Sequence, residues 1–287
     1  MRTRFERCVI VGTGLIGASL AGAGKARGVF AHTVGVGRSL ANLETAQARG
    51  FIDEARTDLF PALADADLVV IATPVVTALS QLHELAHHAP STAIFTDVGS
   101  VKQAIVTEAK LRGLTSRFLG AHPLAGKAET GAGAADVDLF RGRSVVLTPD
   151  TETPEELVEE MSALWTTLDS EVVVMEASDH DAVLATSSHL PQMVAYALSA
   201  AADGASLRER VAHLSAGGFR DTSRLAASDA DMWVDIARLN REALVDAMDE
   251  FSMVWDDLRD AVADRDEKAI REIVKAAKRF RSEIDPS

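Results

Sequence analysis

The chain has 287 residues, 47% of them hydrophobic and 25% charged, which is the composition of an ordinary globular protein with length for about two domains. A formal net charge of −14 argues against a nucleic-acid binder, whose footprint is a basic face. No uninterrupted apolar run approaches the ~20 residues of a membrane span, and the single cysteine, Cys8, excludes an internal disulfide framework and fits a reducing cytoplasm.

The basic N-terminus (Arg2, Arg4, Arg7) leads into a short apolar run that enters a glycine motif instead of a cleavage site, so it reads as a first strand and not a signal peptide. That strand spans Glu6 to Val11. A helix from Leu15 to Arg27, a strand from His32 to Gly37 and a helix from Leu40 to Arg49 follow, the last ended by Gly50. The run DLVVIA, Asp67 to Ala72, is continuously apolar, as a parallel strand buried on both faces requires. Thr73-Pro74 breaks it. Helices over Thr77 to His88 and Lys102 to Arg112 alternate with strands over Ala93 to Asp97 and Phe118 to Ala121. Ser144 to Leu147, a helix from Pro154 to Leu168, and Glu171 to Met175 continue the pattern. The repetition predicts an α/β Rossmann-type domain with a mostly parallel sheet over residues 1–176. After Ala177 the strand signals stop, which predicts an all-α C-terminal domain over 177–287. Within it, Asp229 to Ala263 reads as one helix, with Trp233, Ile236, Leu239, Ala243, Phe251, Val254 and Leu258 near helical spacing. At 1.5 Å per residue it would run roughly 50 Å, too long for its own small domain, so it is expected to pack against a partner subunit in a homodimer. A last amphipathic helix carries Ile270, Ile273, Val274, Ala277 and Phe280 on one side.

Gly12-Thr13-Gly14-Leu15-Ile16-Gly17 fits GxGxxG, follows a strand and opens a helix, the context that gives the pattern meaning. The first glycine permits the tight turn, the second lets backbone approach a pyrophosphate, and the third lets helix pack on strand. Cofactor choice falls at the end of the second strand, where NAD sites place a carboxylate. This chain has Val36-Gly37-Arg38-Ser39 instead. Arg38 and Ser39 suit a 2′-phosphate, which favours NADP over NAD. The alternative is a surface arginine, with an acidic group reaching in from elsewhere.

Ligands of such sheets sit beyond the carboxyl ends of the strands. Thr73-Pro74, Asp97-Val98-Gly99-Ser100 and His122 all follow predicted strands and so share one rim. His122 lies in GAHPLAG, Gly120 to Gly126, where two glycines and Pro123 predict a loop and not a lasting strand or helix. On these residues alone it is equally a structural histidine or one held out for chemistry.

GTGLIGAS, DVGSVK, GAHPLAG, SHLPQ and GGFRDTSR occur in this order. Together they resemble the TyrA family of prephenate and arogenate dehydrogenases, over about residues 6 to 260. The resemblance implies an oxidative decarboxylation in tyrosine biosynthesis, with hydride leaving ring C4 of a cyclohexadienol for nicotinamide. It implies that His122 takes the proton of the C4 hydroxyl, that Ser100 orients His122 and that hydroxyl, that Arg224 holds a substrate carboxylate, and that His189 contacts substrate. Read as residues alone, Ser100 caps the helix starting near Lys102, Arg224 pairs with Asp221, and His189 is buried at a helix break at Leu190-Pro191. Two features sit outside the family pattern. Lys127 stands where a small hydroxyl residue is usual, and Asp221 suits the ammonium of arogenate or an ion pair with Arg220 or Arg224. Prephenate and arogenate both remain open. The rival readings are a β-hydroxyacid dehydrogenase, which relies on a helical lysine that finds no counterpart here, and a non-catalytic dinucleotide-sensing module, which needs no proton acceptor.

Overall fold

In a computed structural model, residues 4–127 and 129–284 are described; Arg2 lies outside them. The first unit comprises β1 (Phe5–Val11), α1 (Leu15–Ala26), β2 (Phe30–Val36), α2 (Leu40–Ala48), β3 (Glu54–Arg56), α3 (Leu59–Leu63), β4 (Leu68–Ile71), α4 (Val75–His88), β5 (Ile94–Asp97), α5 (Gln103–Leu111), β6 (Phe118–Pro123), β7 (Ser144–Thr148), α6 (Glu155–Thr167) and β8 (Glu171–Val174). The strands form one sheet in the order β3-β2-β1-β4-β5-β6-β7-β8. Every pairing is parallel except β6 with β7. Two apolar layers clothe it. One joins α1, α2 and α6 through Leu20, Leu43, Met161 and Trp165. The other joins α3, α4 and α5 through Leu63, Leu82 and Ile105. Burial on both faces is why β4 reads LVVI, without polar alternation.

The sequence of GAHPLAG predicts a loop, but His122 and Pro123 belong to β6. Leu124 N donates to Ser144 O at 2.9 Å, which makes 124/144, 122/146 and 120/148 the hydrogen-bonded pairs of the antiparallel ladder. Pro123 falls between them, opposite Val145, where its missing N–H is not called for. β3 and α3, of three and five residues, are too short to leave a periodic signal.

The second unit is helical: α7 (Ala177–Leu184), a π-helical turn (Ala185–His189), α8 (Leu190–Asp203), α9 (Arg208–Leu214), α10 (Gly217–Ser223), a 3₁₀ turn (Arg224–Ala227), α11 (Ala230–Leu239), α12 (Arg241–Ala263) and α13 (Glu267–Ile284). Two expectations are corrected here. Leu190-Pro191 does not interrupt the chain: the wider turn at Ala185–His189 precedes a proline in the first turn of α8, where a missing donor is tolerated. The single helix over Asp229 to Ala263 is two, α11 and α12, divided at Asn240 (φ −106°, ψ 34°), whose side chain turns inward for tertiary bonds. Among the described residues no helix is long and apolar enough to cross a membrane.

Candidate active site

The strand order reverses between β1 and β4, which opens a crevice at their carboxyl ends. The β1–α1 turn fills one side of it. Gly12 has φ +105°, and a Cβ there would stand 2.6 Å from Ala72 O, so only glycine lets this turn lie against the end of β4. A Cβ on Gly17 would stand 2.0 Å from Gly12 O. Gly14 differs: a Cβ there would meet nothing within 4 Å. Its bareness serves no protein contact and leaves the N-terminus of α1, which has no side-chain cap, open to an approaching anion. These residues fit the diphosphate of a dinucleotide, with the amides of Leu15 and Ile16 in the first turn. Thr73 and Pro74 border the crevice from β4, Thr73 Oγ1 donating to Gln81 Oε1 at 3.2 Å and Pro74 preceding α4. Beyond β2, Arg38 is exposed and Ser39 caps α2 by accepting from Asn42 N at 3.3 Å. Arg56, in register with Val36, brings a second guanidinium to this edge, paired with Glu54.

His122 stands near the carboxyl end of β6 as a half-buried residue. A buried ion pair fixes the strand beneath it. Lys102 Nζ bonds Asp97 and donates to Ala121 O at 2.9 Å, while Asp97 Oδ2 accepts from Gly99 N at 2.8 Å. Thus DVGSVK braces at once the loop bearing Ser100 and the strand bearing His122. Desolvation, and then the charges of His180, Lys102 and His189, push the His122 pKa well below the usual imidazole value.

The ring partner of His122 is not Ser100. His122 Nδ1 lies 2.8 Å from His180 Nε2, and His180 Nδ1 lies 2.7 Å from Asp181 Oδ1. Nor does Ser100 cap α5. Asp181 does so from the other unit, accepting from Lys102 N at 2.8 Å and Gln103 N at 2.9 Å. Asn240 Nδ2 donates to Asp181 O at 2.8 Å, and that bond orients the amide so that the same nitrogen meets His189 Nδ1 at 3.1 Å. His189 is 1% exposed, with Trp233 edge-on to its ring. Burial lowers its pKa to about 4, and with Nδ1 engaged only Nε2–H is left for a substrate. Arg224 opens the 3₁₀ turn held to α8 by Gln192 Nε2 donating to Leu225 O at 2.6 Å. Among the described residues no ion pair joins it to Asp221 or joins Asp221 to Arg220, so all three side chains stay available at the surface. Lys127 pairs with Asp136 at 2.8 Å. His180, Asp181 and Asn240 have no counterpart among the sequence candidates. The adjacent His-Asp pair was their one signal, and nothing in its spacing points to a residue 58 positions away.

The prephenate dehydrogenase nucleotide-binding domain matches residues 20–174, and the prephenate dehydrogenase dimerization domain matches residues 176–276. The chain belongs to the prephenate dehydrogenase family. Among family members it is 35% identical to a prephenate dehydrogenase of Bacillus subtilis over 98% of its own length and 76% of that relative. The crystal structure of the prephenate dehydrogenase from A. aeolicus, in complex with hydroxyphenyl propionate and NAD+, superposes with a TM-score of 0.92 at 30% identity, covering 98% of each chain. Synechocystis arogenate dehydrogenase superposes with a TM-score of 0.84 at 33% identity, covering 97% of this chain and 99% of that one.

Proposed function

We propose that this protein catalyses the oxidative decarboxylation of prephenate or arogenate in tyrosine biosynthesis, with NADP the preferred hydride acceptor and a homodimer the working unit. The observation that carries the reading is a half-buried histidine at the carboxyl rim of the sheet with its Nδ1 engaged by His180, in a chain whose two units both match this family's domains. We take the units as residues 1–176 for cofactor and 177–287 for substrate and dimerisation, since β8 ends at Val174 and α7 begins at Ala177.

Gly12, Gly14, Leu15, Ile16 and Gly17 hold the dinucleotide's phosphates, Thr73 and Pro74 flank them, and Arg38 and Ser39 meet the 2′-phosphate. When bound, the nicotinamide supplies the hydride acceptor. His122 takes the proton of the C4 hydroxyl as it becomes a carbonyl, and neutral imidazole suits that role near pH 7. Ser100 orients the same hydroxyl. Arg224 holds a substrate carboxylate, for which a guanidinium fork fits better than an ammonium. His189 offers Nε2–H to the substrate. Asp221 would favour arogenate if it meets an ammonium group. Loss of carbon dioxide aromatises the ring and drives the reaction. The homodimer is supported by the apolar side chains that α12 and α13 leave uncovered, Trp255 at 58% and Phe280 at 65% exposure among them.

The test is a four-way steady-state assay of prephenate or arogenate with NAD or NADP, following reduced nicotinamide by absorbance. Turnover should be fastest with NADP, and the better substrate settles the acid. Binding of the cofactor with no turnover in any combination would refute the reading and restore a sensing module.

A further inference from the structure

A histidine serves as a base only if its lone pair faces the substrate, and an isolated imidazole divides itself between two tautomers. In this protein the choice is made inside the helical unit. Asp181 receives two backbone N–H donors at the start of α5 and acts as an acceptor toward its third partner. His180 Nδ1, 2.7 Å away, must then carry the proton. Its Nε2 is left a bare acceptor, so His122 Nδ1, at 2.8 Å, must be the donor. The lone pair of His122 is thereby assigned to Nε2, the nitrogen turned away from this chain of bonds. His180 is fully buried and Asp181 nearly so, so water does not compete for these bonds.

We propose that His180 and Asp181 are positioning residues of the reaction, which lock His122 as the Nδ1–H tautomer and present its Nε2 to the substrate hydroxyl. The proposal rests on the reading of His122 as the base. In the step itself the hydroxyl proton moves to Nε2, the C4–H bond gives its electron pair to the nicotinamide, and His122 becomes an imidazolium that still donates Nδ1–H to His180. No proton travels down the chain. The cation is stabilised through the His180 ring by the carboxylate, and Nε2 later releases its proton to solvent.

The decisive comparison is His180→Gln against His180→Ala. The Gln oxygen accepts from His122 Nδ1–H while its NH₂ donates to the Asp181 carboxylate, which keeps the lone pair of His122 on Nε2, whereas alanine leaves His122 to take either tautomer. With the substrate and cofactor selected by the four-way assay, kcat should fall by at least about tenfold in His180→Ala, with NADPH affinity close to wild type, and stay within about threefold of wild type in His180→Gln. A general loss of structure at this buried position would not be repaired by the one amide that reproduces the hydrogen bonds. Equal rates in the two variants, or His180→Ala within about threefold of wild type, would overturn the proposal. His122→Asn separates the two claims. Near-normal turnover in that variant removes the base reading itself, whereas its loss alongside an active His180→Ala removes only the lock.

Discussion

Gly14→Ala should separate cofactor binding from folding. Gly14 has φ −78° and ψ −163°, extended backbone that alanine adopts freely, and the added methyl would meet no protein atom within 4 Å. Alanine is a slightly poorer N-cap than glycine but narrows the unfolded ensemble, so stability should change by less than about 1 kcal/mol. For a chain of this size that is a Tm shift within ~4 °C. A methyl forced against a bound diphosphate costs about 1–3 kcal/mol, or roughly 5- to 150-fold in Kd. Gly17→Ala is the opposite case. Its Cβ would stand 2.0 Å from Gly12 O and 3.0 Å from Ala72 Cβ, so α1 must shift off the sheet. The loss should reach about 3 kcal/mol, a Tm lower by ~6–12 °C. The assay is an NADPH titration by nicotinamide fluorescence beside a thermal melt. Wild-type affinity in a stably folded Gly14→Ala would show that the phosphates do not lie on this turn.

Arg38→Ala should raise KM for NADP by about tenfold, the loss of one exposed charge-assisted contact, and leave KM for NAD unchanged; equal effects on both would remove Arg38 from the 2′-phosphate site. Arg224→Ala should raise the substrate KM with a smaller change in kcat, the mark of lost uniform binding, and an unchanged KM would make Arg224 structural. Acid should destabilise the fold through His189, whose pKa is held at about 4 against an ordinary value of 6.5. The unfolded chain takes up that proton first, so stability is full above about pH 6.5 and falls toward pH 4, by up to ~1.4 kcal/mol per pH unit. His122 adds a slope of the same sign, so Tm against pH should flatten in part, not wholly, in His189→Gln; a curve identical to wild type would refute the assignment.

The sheet was legible because strands buried on both faces write uninterrupted apolar runs, and the cofactor turn because its glycines fall at a fixed spacing between one strand and the helix it opens. Legibility failed where a distant partner decides local structure. His122 and Pro123 look like loop until β7 arrives beside them, some twenty residues later, to accept them as a strand. The apolar spacing runs unbroken through Asn240, so periodicity is blind to the division of α11 from α12. That division is made by the Asn240 side chain reaching Asp181 and His189. His122 and Arg224 are candidates because they stand in short motifs, GAHPLAG and GGFRDTSR. His180 and Asp181 look like ordinary polar residues of a surface helix, and their burial against β6 and α5 is a tertiary fact.

The site is therefore joined across the two units by buried polar groups, and their chemistry explains why apolar packing could not replace them. Asp97 and Lys102 are both almost wholly buried, and such a pair seldom gives more stability than well-packed aliphatic side chains of the same volume. An aliphatic pair would leave Ala121 O and Gly99 N without their side-chain partners, and these are the backbone groups next to His122 and Ser100. The same holds for Asp181. A leucine there would fill the space, yet strip two amides at the start of α5 and leave His180 free to take either tautomer. Burial of charge in this protein fixes direction, of a strand in one case and of a proton acceptor in the other, and direction is what hydrophobic packing does not supply.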